Sequence, residues 1–291
     1  RDREQIRDDS HRQNDHDCTQ QFASHGHALM RKLSLCIGID HYPGTGADLL
    51  GACADAVRWY NTLLHLGWDT SLLKNPTREE LVSRLLALAR SARADDQLLV
   101  SYAGHGTQVP DADGDEAEID QLDEAWCPSD VVEAGPILDD ELCLILRCAG
   151  SARATVISDS CHSGTITRLL PTAVEEGYRR ARCLPWSAVR SAPLSRQLIA
   201  SRRTRARTSR IESPRLLTLS ACQSHQQSYE VALPVGRYGG VFTQAMLSTY
   251  EPTLTYRAWH ARASQEIERQ GYPQSPRLDG STLARARRAL A

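Results

Sequence analysis

Residues 97–106, QLLVSYAGHG, and residues 153–164, RATVISDSCHSG, decide the fold. Gln97–Tyr102 and Arg153–Ile157 are short, mostly apolar runs, the pattern of strands buried on both faces. Each run ends among small residues around one reactive side chain, His105 in the first and Cys161 in the second. The same pattern extends outward. Leu33–Ile39 and Asp69–Leu73 read as strands, and Ala52–Leu66 has helical spacing through Val57, Trp59, Tyr60, Leu63 and Leu64. Thr77 with Glu80 three residues later makes a capping box for a helix whose buried stripe is Leu81, Leu85 and Leu88. A helix over Asp140–Arg147 precedes the second quoted run, and after it come a strand, Leu216–Ala221, and helices near Val241–Tyr250 and Tyr256–Arg269. Strands alternating with helices predict an α/β fold, a parallel sheet covered on both faces. Chemistry in such sheets gathers beyond the carboxyl ends of the strands, where both His105 and Cys161 fall.

The 291 residues suffice for one sizeable core. Net charge is −2, a balance that by itself points to neither nucleic acid nor membrane. Locally the charge is uneven. Lys32 and Lys74 are the only lysines, arginines crowd 168–215, and carboxylates crowd 111–140. The nine cysteines are odd in number and form no C-x-x-C pair, which argues against a disulfide framework or a thiolate zinc site. A reducing, cytoplasmic compartment is therefore expected. No run approaches the ~20 apolar residues of a membrane span, and no charged-then-apolar leader opens the chain, which starts at Arg1 without methionine. Residues 1–30 read as a polar, flexible segment. His11, His16, Cys18, His25 and His27 there fit no common zinc spacing. The remainder, 31–291, reads as one domain, with an arginine-rich insertion over 168–213.

Cysteine-dependent acyl transfer needs a sulfur nucleophile, a histidine to carry its proton and donors for the oxyanion. Cys161 follows a strand, with Gly164 allowing a tight turn behind it; His105 lies between two glycines, which leaves space beside its ring. Either residue alone would read as packing or a turn. Together, at two strand ends and 56 positions apart (161 less 105), they read as a catalytic pair. His162 is a poor base for Cys161, since adjacent side chains on a turn seldom face each other.

Several boxes occur in one order: IGIDHY (37–42), LLGACADAV (49–57), SYAGHGTQVPDADGDEAEIDQLDEAWCPSD (101–130), ILDDEL (137–142), DSCHSG (159–164), SACQSHQQSYE (220–230) and GGVFTQAML (239–247). From about Leu35 to Thr243 the chain resembles the metacaspases and their prokaryotic relatives, the orthocaspases. The resemblance implies the three-layer caspase-hemoglobinase fold, a mostly parallel six-stranded sheet between helices. It implies an endopeptidase in which Cys161 attacks to give a thioester acyl-enzyme, His105 carries the proton, and the N–H groups of Gly106 and Cys161 hold the oxyanion. It implies an acidic S1 pocket at Asp55 and Asp159, hence cleavage of proteins after arginine or lysine, and a desolvated carboxylate pair is what a guanidinium needs. Asp55 could otherwise cap a helix, and Asp159 could be a turn residue. Monomers are the family's habit.

Two readings stay open at the charged segments. Asp123, Asp139 and Asp140 match carboxylates through which many metacaspases bind activating calcium, and oxygen donors suit that cation. The family's further carboxylate is here Arg168, which opposes it, and a solvated acidic loop is the alternative; no cofactor is required. The basic insertion could be a nucleic-acid arm. Its place, between the catalytic cysteine and the next strand, favours the loop that caspase-like enzymes cut on maturation. Arg180, Arg182, Arg203, Arg205, Arg207 and Arg210 are the candidate cut sites, for the enzyme itself or for an upstream protease of similar taste. A catalytically silent, partner-binding module is the alternative function; the intact His105 and Cys161 count against it.

Overall fold

In the computed structural model, which describes residues 30–110, 122–150, 152–161, 179–189 and 215–291, the two apolar runs lie side by side as neighbouring parallel strands. The chain divides into Arg1–Met30 and Arg31–Ala291. Apart from Met30, the expected flexible segment lies outside the described residues.

In chain order the elements are β1 (Lys32–Gly38), α1 (Ala52–His65), β2 (Asp69–Lys74), α2 (Arg78–Ser91), β3 (Gln97–Ala103), β4 (Gly106–Pro110), β5 (Leu122–Trp126), α3 (Val131–Ala134), β6 (Ile137–Leu138), α4 (Asp139–Arg147) and β7 (Arg153–Asp159). They continue with β8 (Arg179–Ala181), α5 (Trp186–Val189), β9 (Leu216–Ser220), β10 (Tyr229–Leu233), β11 (Arg237–Gly240), α6 (Val241–Ser248), α7 (Tyr256–Arg269), β12 (Arg277–Gly280) and α8 (Thr282–Arg285). The main sheet has six strands in the order β12-β9-β7-β3-β1-β2, all parallel except β12, which runs antiparallel to β9. This is the mostly parallel six-stranded sheet that the resemblance implies.

Alternation along each strand sends side chains to opposite faces. Leu35, Ile37, Leu98, Val100, Tyr102 and Val156 join one core with Leu81 and Leu85 of α2 and Leu142 and Ile145 of α4. Cys36, Leu99, Ile157, Leu217 and Leu219 join a second core with Trp59 and Leu63 of α1, Phe242 and Met246 of α6, and Trp259 and Ile267 of α7. Helices on both faces therefore make three layers. The Thr77–Glu80 capping box forms as the sequence predicts. Among the described residues no helix is long and apolar enough to cross a membrane.

Two features depart from the sequence reading. The acidic stretch after His105 is not loop throughout: β4 and β5 flank it as an antiparallel pair extended by β6, a small sheet whose buried apolar cluster is only Val109, Ala125 and Leu138. Within the supposed structureless insertion, β8 pairs with β10, and Leu184 and Val189 reach the main core.

Candidate active site

The rim of the main sheet brings the predicted residues together. Register pairs Ala103, the last residue of β3, with Asp159, the last of β7, so His105 and Cys161 each follow their strand by two residues. A Cβ on Gly104 would stand 2.7 Å from the Tyr42 hydroxyl and 2.8 Å from that of Tyr102, so only glycine passes the chain between these phenols.

Tyr42 shapes the histidine. Its hydroxyl accepts a hydrogen bond from the His105 backbone N–H at 2.7 Å, and its ring lies 4.6 Å from the imidazole centroid. The imidazole Nε2 sits 2.6 Å from the Ala47 carbonyl, an acceptor only, so Nε2 carries the proton and Nδ1 is left with its lone pair. Buried Nδ1 has no hydrogen-bond partner among the described residues. Burial brings His105 down to about 4, and the nearby Arg182 guanidinium pushes the same way. The ring is therefore neutral at physiological pH, with an open acceptor.

Cys161 is buried, and among the described residues its thiol makes a long contact, 3.9 Å, to the Ser228 carbonyl and meets the Cys183 thiol. Burial raises the thiol well above its ordinary range, and the neighbouring Cys183 thiol adds to this. The pair rests as neutral thiol and neutral imidazole.

What fills the site is a piece of the chain itself. β8 runs antiparallel to β10, and the next residue continues the pairing, with the Arg182 N–H donating to the Ser228 carbonyl at 2.9 Å. The Arg182 carbonyl then accepts from two backbone N–H groups, Gly106 at 3.0 Å and Cys161 at 3.1 Å, the two predicted oxyanion donors. Beyond it Leu184 N–H donates to the Gly106 carbonyl at 2.9 Å. The Arg182 carbonyl thus lies in the donor pair beside the cysteine, as the scissile carbonyl of a substrate would.

The Arg182 side chain, 0% exposed, enters a cage of three carboxylates. Its Nη2 meets Asp55 Oδ2 at 2.5 Å and Glu230 Oε2 at 3.8 Å, and its Nη1 meets Asp159 Oδ2 at 3.1 Å. The cage is braced from behind. Asp55 also accepts from Gly240 N–H and Arg58; Asp159 from Ser228 Oγ, Thr243 N–H and Thr243 Oγ1; Glu230 from the N–H groups of Leu50 and Gly51. A Cβ on Gly240 would stand 2.0 Å from Asp159 Oδ2 and 2.6 Å from the guanidinium, so that glycine makes the space. Three carboxylates face two guanidinium groups, Arg182 and the partly exposed Arg58, leaving one surplus negative charge. Accordingly burial drives Asp55 up to about 7 even with Arg182 opposing it, and burial raises Glu230 too. Burial also works against the charged form of Arg182, but the three carboxylates overcome it and its pKa rises.

The other candidates fall elsewhere. Arg180 is exposed and donates to the Asp48 carbonyl, while Arg203, Arg205, Arg207 and Arg210 lie outside the described residues. Asp123 lies on β5 and Asp139 and Asp140 open α4. No three His, Cys, Asp or Glu side chains among the described residues form a group that could hold a metal. Asp123, Asp139 and Asp140 are not gathered into such a group, and the acidic loop 111–121 lies outside the described residues. Sequence reasoning missed Tyr42, Ser228, Thr243 and Glu230. Glu230 had left a signal, a lone carboxylate within the apolar run around Val231.

Comparison with known proteins follows this geometry. The family model for the caspase domain matches residues 31–286. Metacaspase-1 of Saccharomyces cerevisiae is 34% identical over 161 residues, 50% of this chain and 37% of that protein. Metacaspase-1 of Cryptococcus neoformans is 36% identical over 149 residues, 46% of this chain and 32% of that protein. The chain thus spans only about a third of the length of these curated relatives. Metacaspase-1 of Mycosarcoma maydis matches more broadly, 28% identical over 86% of this chain and 70% of its own length. A crystal structure of a protein from Geobacter sulfurreducens superposes with a TM-score of 0.67 at 25% identity, covering 90% of this chain and 98% of that one.

Proposed function

The chain belongs to the caspase-domain family of cysteine peptidases, and from this premise we propose that it cleaves polypeptides after arginine, its own Arg182–Cys183 bond first. One observation carries the reading: Arg182 occupies the carboxylate cage while its carbonyl accepts from both Gly106 and Cys161.

Cys161 Sγ attacks the Arg182 carbonyl carbon as its proton passes to the free Nδ1 of His105. The two N–H groups take the developing oxyanion, and the Ala47 carbonyl holds the imidazolium that forms. His105 then hands the proton to the departing Cys183 amine. A thioester to Arg182 remains on Cys161, and water cleaves it. Once water has cleaved the thioester and the freed Arg182 end has exchanged out of the cage, an extended arginine-bearing stretch of another protein adds to the edge of β10 in its place. No step is routed through calcium.

The test joins two measurements. Intact-mass analysis of the purified chain should find a fragment beginning at Cys183, absent from the Cys161→Ala variant. The processed enzyme should cut fluorogenic peptides with arginine before the bond, lysine less well, and aspartate not at all, each assayed with calcium and with a chelator. Equal turnover of the aspartate peptide, or processing that survives loss of Cys161, would overturn the proposal.

A further inference from the structure

The residue after the docked carbonyl is itself a cysteine, and both sides of that bond are anchored. On the amino side, β8 pairs with β10 and the guanidinium is caged. On the carboxyl side, Cys183 bridges to Gly106 in parallel, and Leu184, Trp186 and Val189 pack into or against the main core. Cutting the peptide bond therefore releases neither end directly. The new amino terminus stays beside Cys161 carrying a thiol, because Cys183 directly follows the carbonyl that the Cys161 N–H holds at 3.1 Å and is itself bridged to Gly106.

We infer that Cys183 makes self-cleavage reversible: its thiol takes the Arg182 acyl group back from Cys161 and passes it to its own α-amine, giving the enzyme an arginyl–cysteine ligase activity. The inference rests on the self-cleavage reading above. After the first step the Arg182 acyl group is a thioester on Cys161 and the Cys183 amine is free. Cys183 Sγ passes its proton to the free His105 Nδ1 and attacks that carbonyl; the bond to Cys161 Sγ breaks, and Cys161 leaves as thiolate and takes the proton back from His105. The acyl group is now a thioester on Cys183. The α-amine of the same residue attacks the carbonyl, the new C–S bond breaks, and the amine proton returns to sulfur. The amide is restored with no oxidant, reductant or water consumed. Hydrolysis competes only when water reaches the thioester first. Any peptide with an amino-terminal cysteine that reaches the site can take the place of Cys183.

The full chain, incubated with a synthetic peptide beginning Cys-Leu, should yield an amino-terminal fragment extended at Arg182 by that peptide. The junction should resist hydroxylamine, which marks an amide and not a thioester. A matched peptide beginning Ser-Leu should give at least about tenfold less, since the hydroxyl does not exchange thioesters as a thiol does. In parallel, Cys183→Ser should proceed to complete cleavage while the unaltered chain keeps a persistent uncut fraction. Equal extension by both peptides, with equal cut fractions in the two chains, would sink the ligase and leave self-cleavage standing. Absence of any cut in either chain would remove the self-cleavage reading and the ligase with it.

Discussion

The arginine cage and the catalytic pair share one rim, yet their atoms are provided for in opposite ways. All six oxygens of Asp55, Asp159 and Glu230 accept at least one hydrogen bond from the protein. In contrast, among the described residues His105 Nδ1 has no partner, and Cys161 Sγ has only weak thiol contacts, to the Ser228 carbonyl at 3.9 Å and to the Cys183 thiol. The cage must hold charge out of water, which is costly unless donors surround it. In the proposed reaction the pair exchanges a proton and forms a bond, which asks that its reacting atoms stay uncommitted. Recognition is built by saturating atoms, and chemistry by leaving them free.

The sharpest break of that contrast is removal of the free atoms. Cys161→Ala should abolish processing and peptide turnover to the detection limit, and His105→Ala should lower turnover about 10²–10⁴-fold. Both variants should keep the cage and so still bind an arginine aldehyde's non-reactive analogue, read by calorimetry after Arg182→Ala has cleared the site. If either lost that binding, cage and pair would not be separable.

Next come the saturated atoms. Asp159→Asn removes a charge 3.1 Å from the guanidinium and should raise KM for arginine peptides. Loss of one partner of a buried pair costs about 3–5 kcal/mol, or roughly 10²-fold to a few times 10³-fold in kcat/KM. Glu230 stands farther off, at 3.8 Å, so Glu230→Gln should cost about tenfold. A larger loss for Glu230→Gln than for Asp159→Asn, in steady-state kinetics, would reverse this ranking.

Proton linkage gives a smaller, graded effect. Asp55 is raised to about 7 with Arg182 in place, and Arg182 acts to lower it, so without a guanidinium its pKa lies higher still. Binding an arginine ligand must then release protons, and affinity should rise with pH around and above 7, by at most tenfold per unit for one proton. Calorimetric titration of Cys161→Ala/Arg182→Ala with an arginine peptide between pH 6 and 8 checks the slope; a flat profile would show the cage fully ionised throughout.

Legibility in the sequence follows the same division. The buried strands β1, β3 and β7 were plain because their apolar runs have no competing reading, and His105 and Cys161 stood out at their ends. Asp55 and Asp159 came from resemblance. Arg182 was one of six arginines, and nothing local marks it; what distinguishes it is a long-range fit to residues of α1, β7 and β10. The small sheet was hidden because β4 and β5 bury Thr107, Gln108 and Asp123, which reads as loop chemistry. β12, Arg277–Gly280, carries no strand signal and is held by pairing with β9.

Tyr42 sits on the boundary between the two kinds of construction, and it yields the smallest effect. Its hydroxyl saturates the His105 N–H, but the imidazole that this N–H helps to place is the unsaturated partner. Tyr42→Phe keeps the ring packed at 4.6 Å and removes the acceptor of the His105 N–H together with the hydroxyl's hydrogen bond to Tyr102. A buried N–H without a partner costs about 1–3 kcal/mol, which should appear as a lower thermal midpoint. If Tyr42 positions His105 for proton transfer, kcat should fall several-fold with KM and the arginine-over-lysine preference unchanged, because no cage atom touches this phenol. A purely structural role would lower the midpoint and leave kcat alone. A rise in KM at constant kcat would mean that the cage answers to the histidine's placement, and the two regions would have to be treated as one.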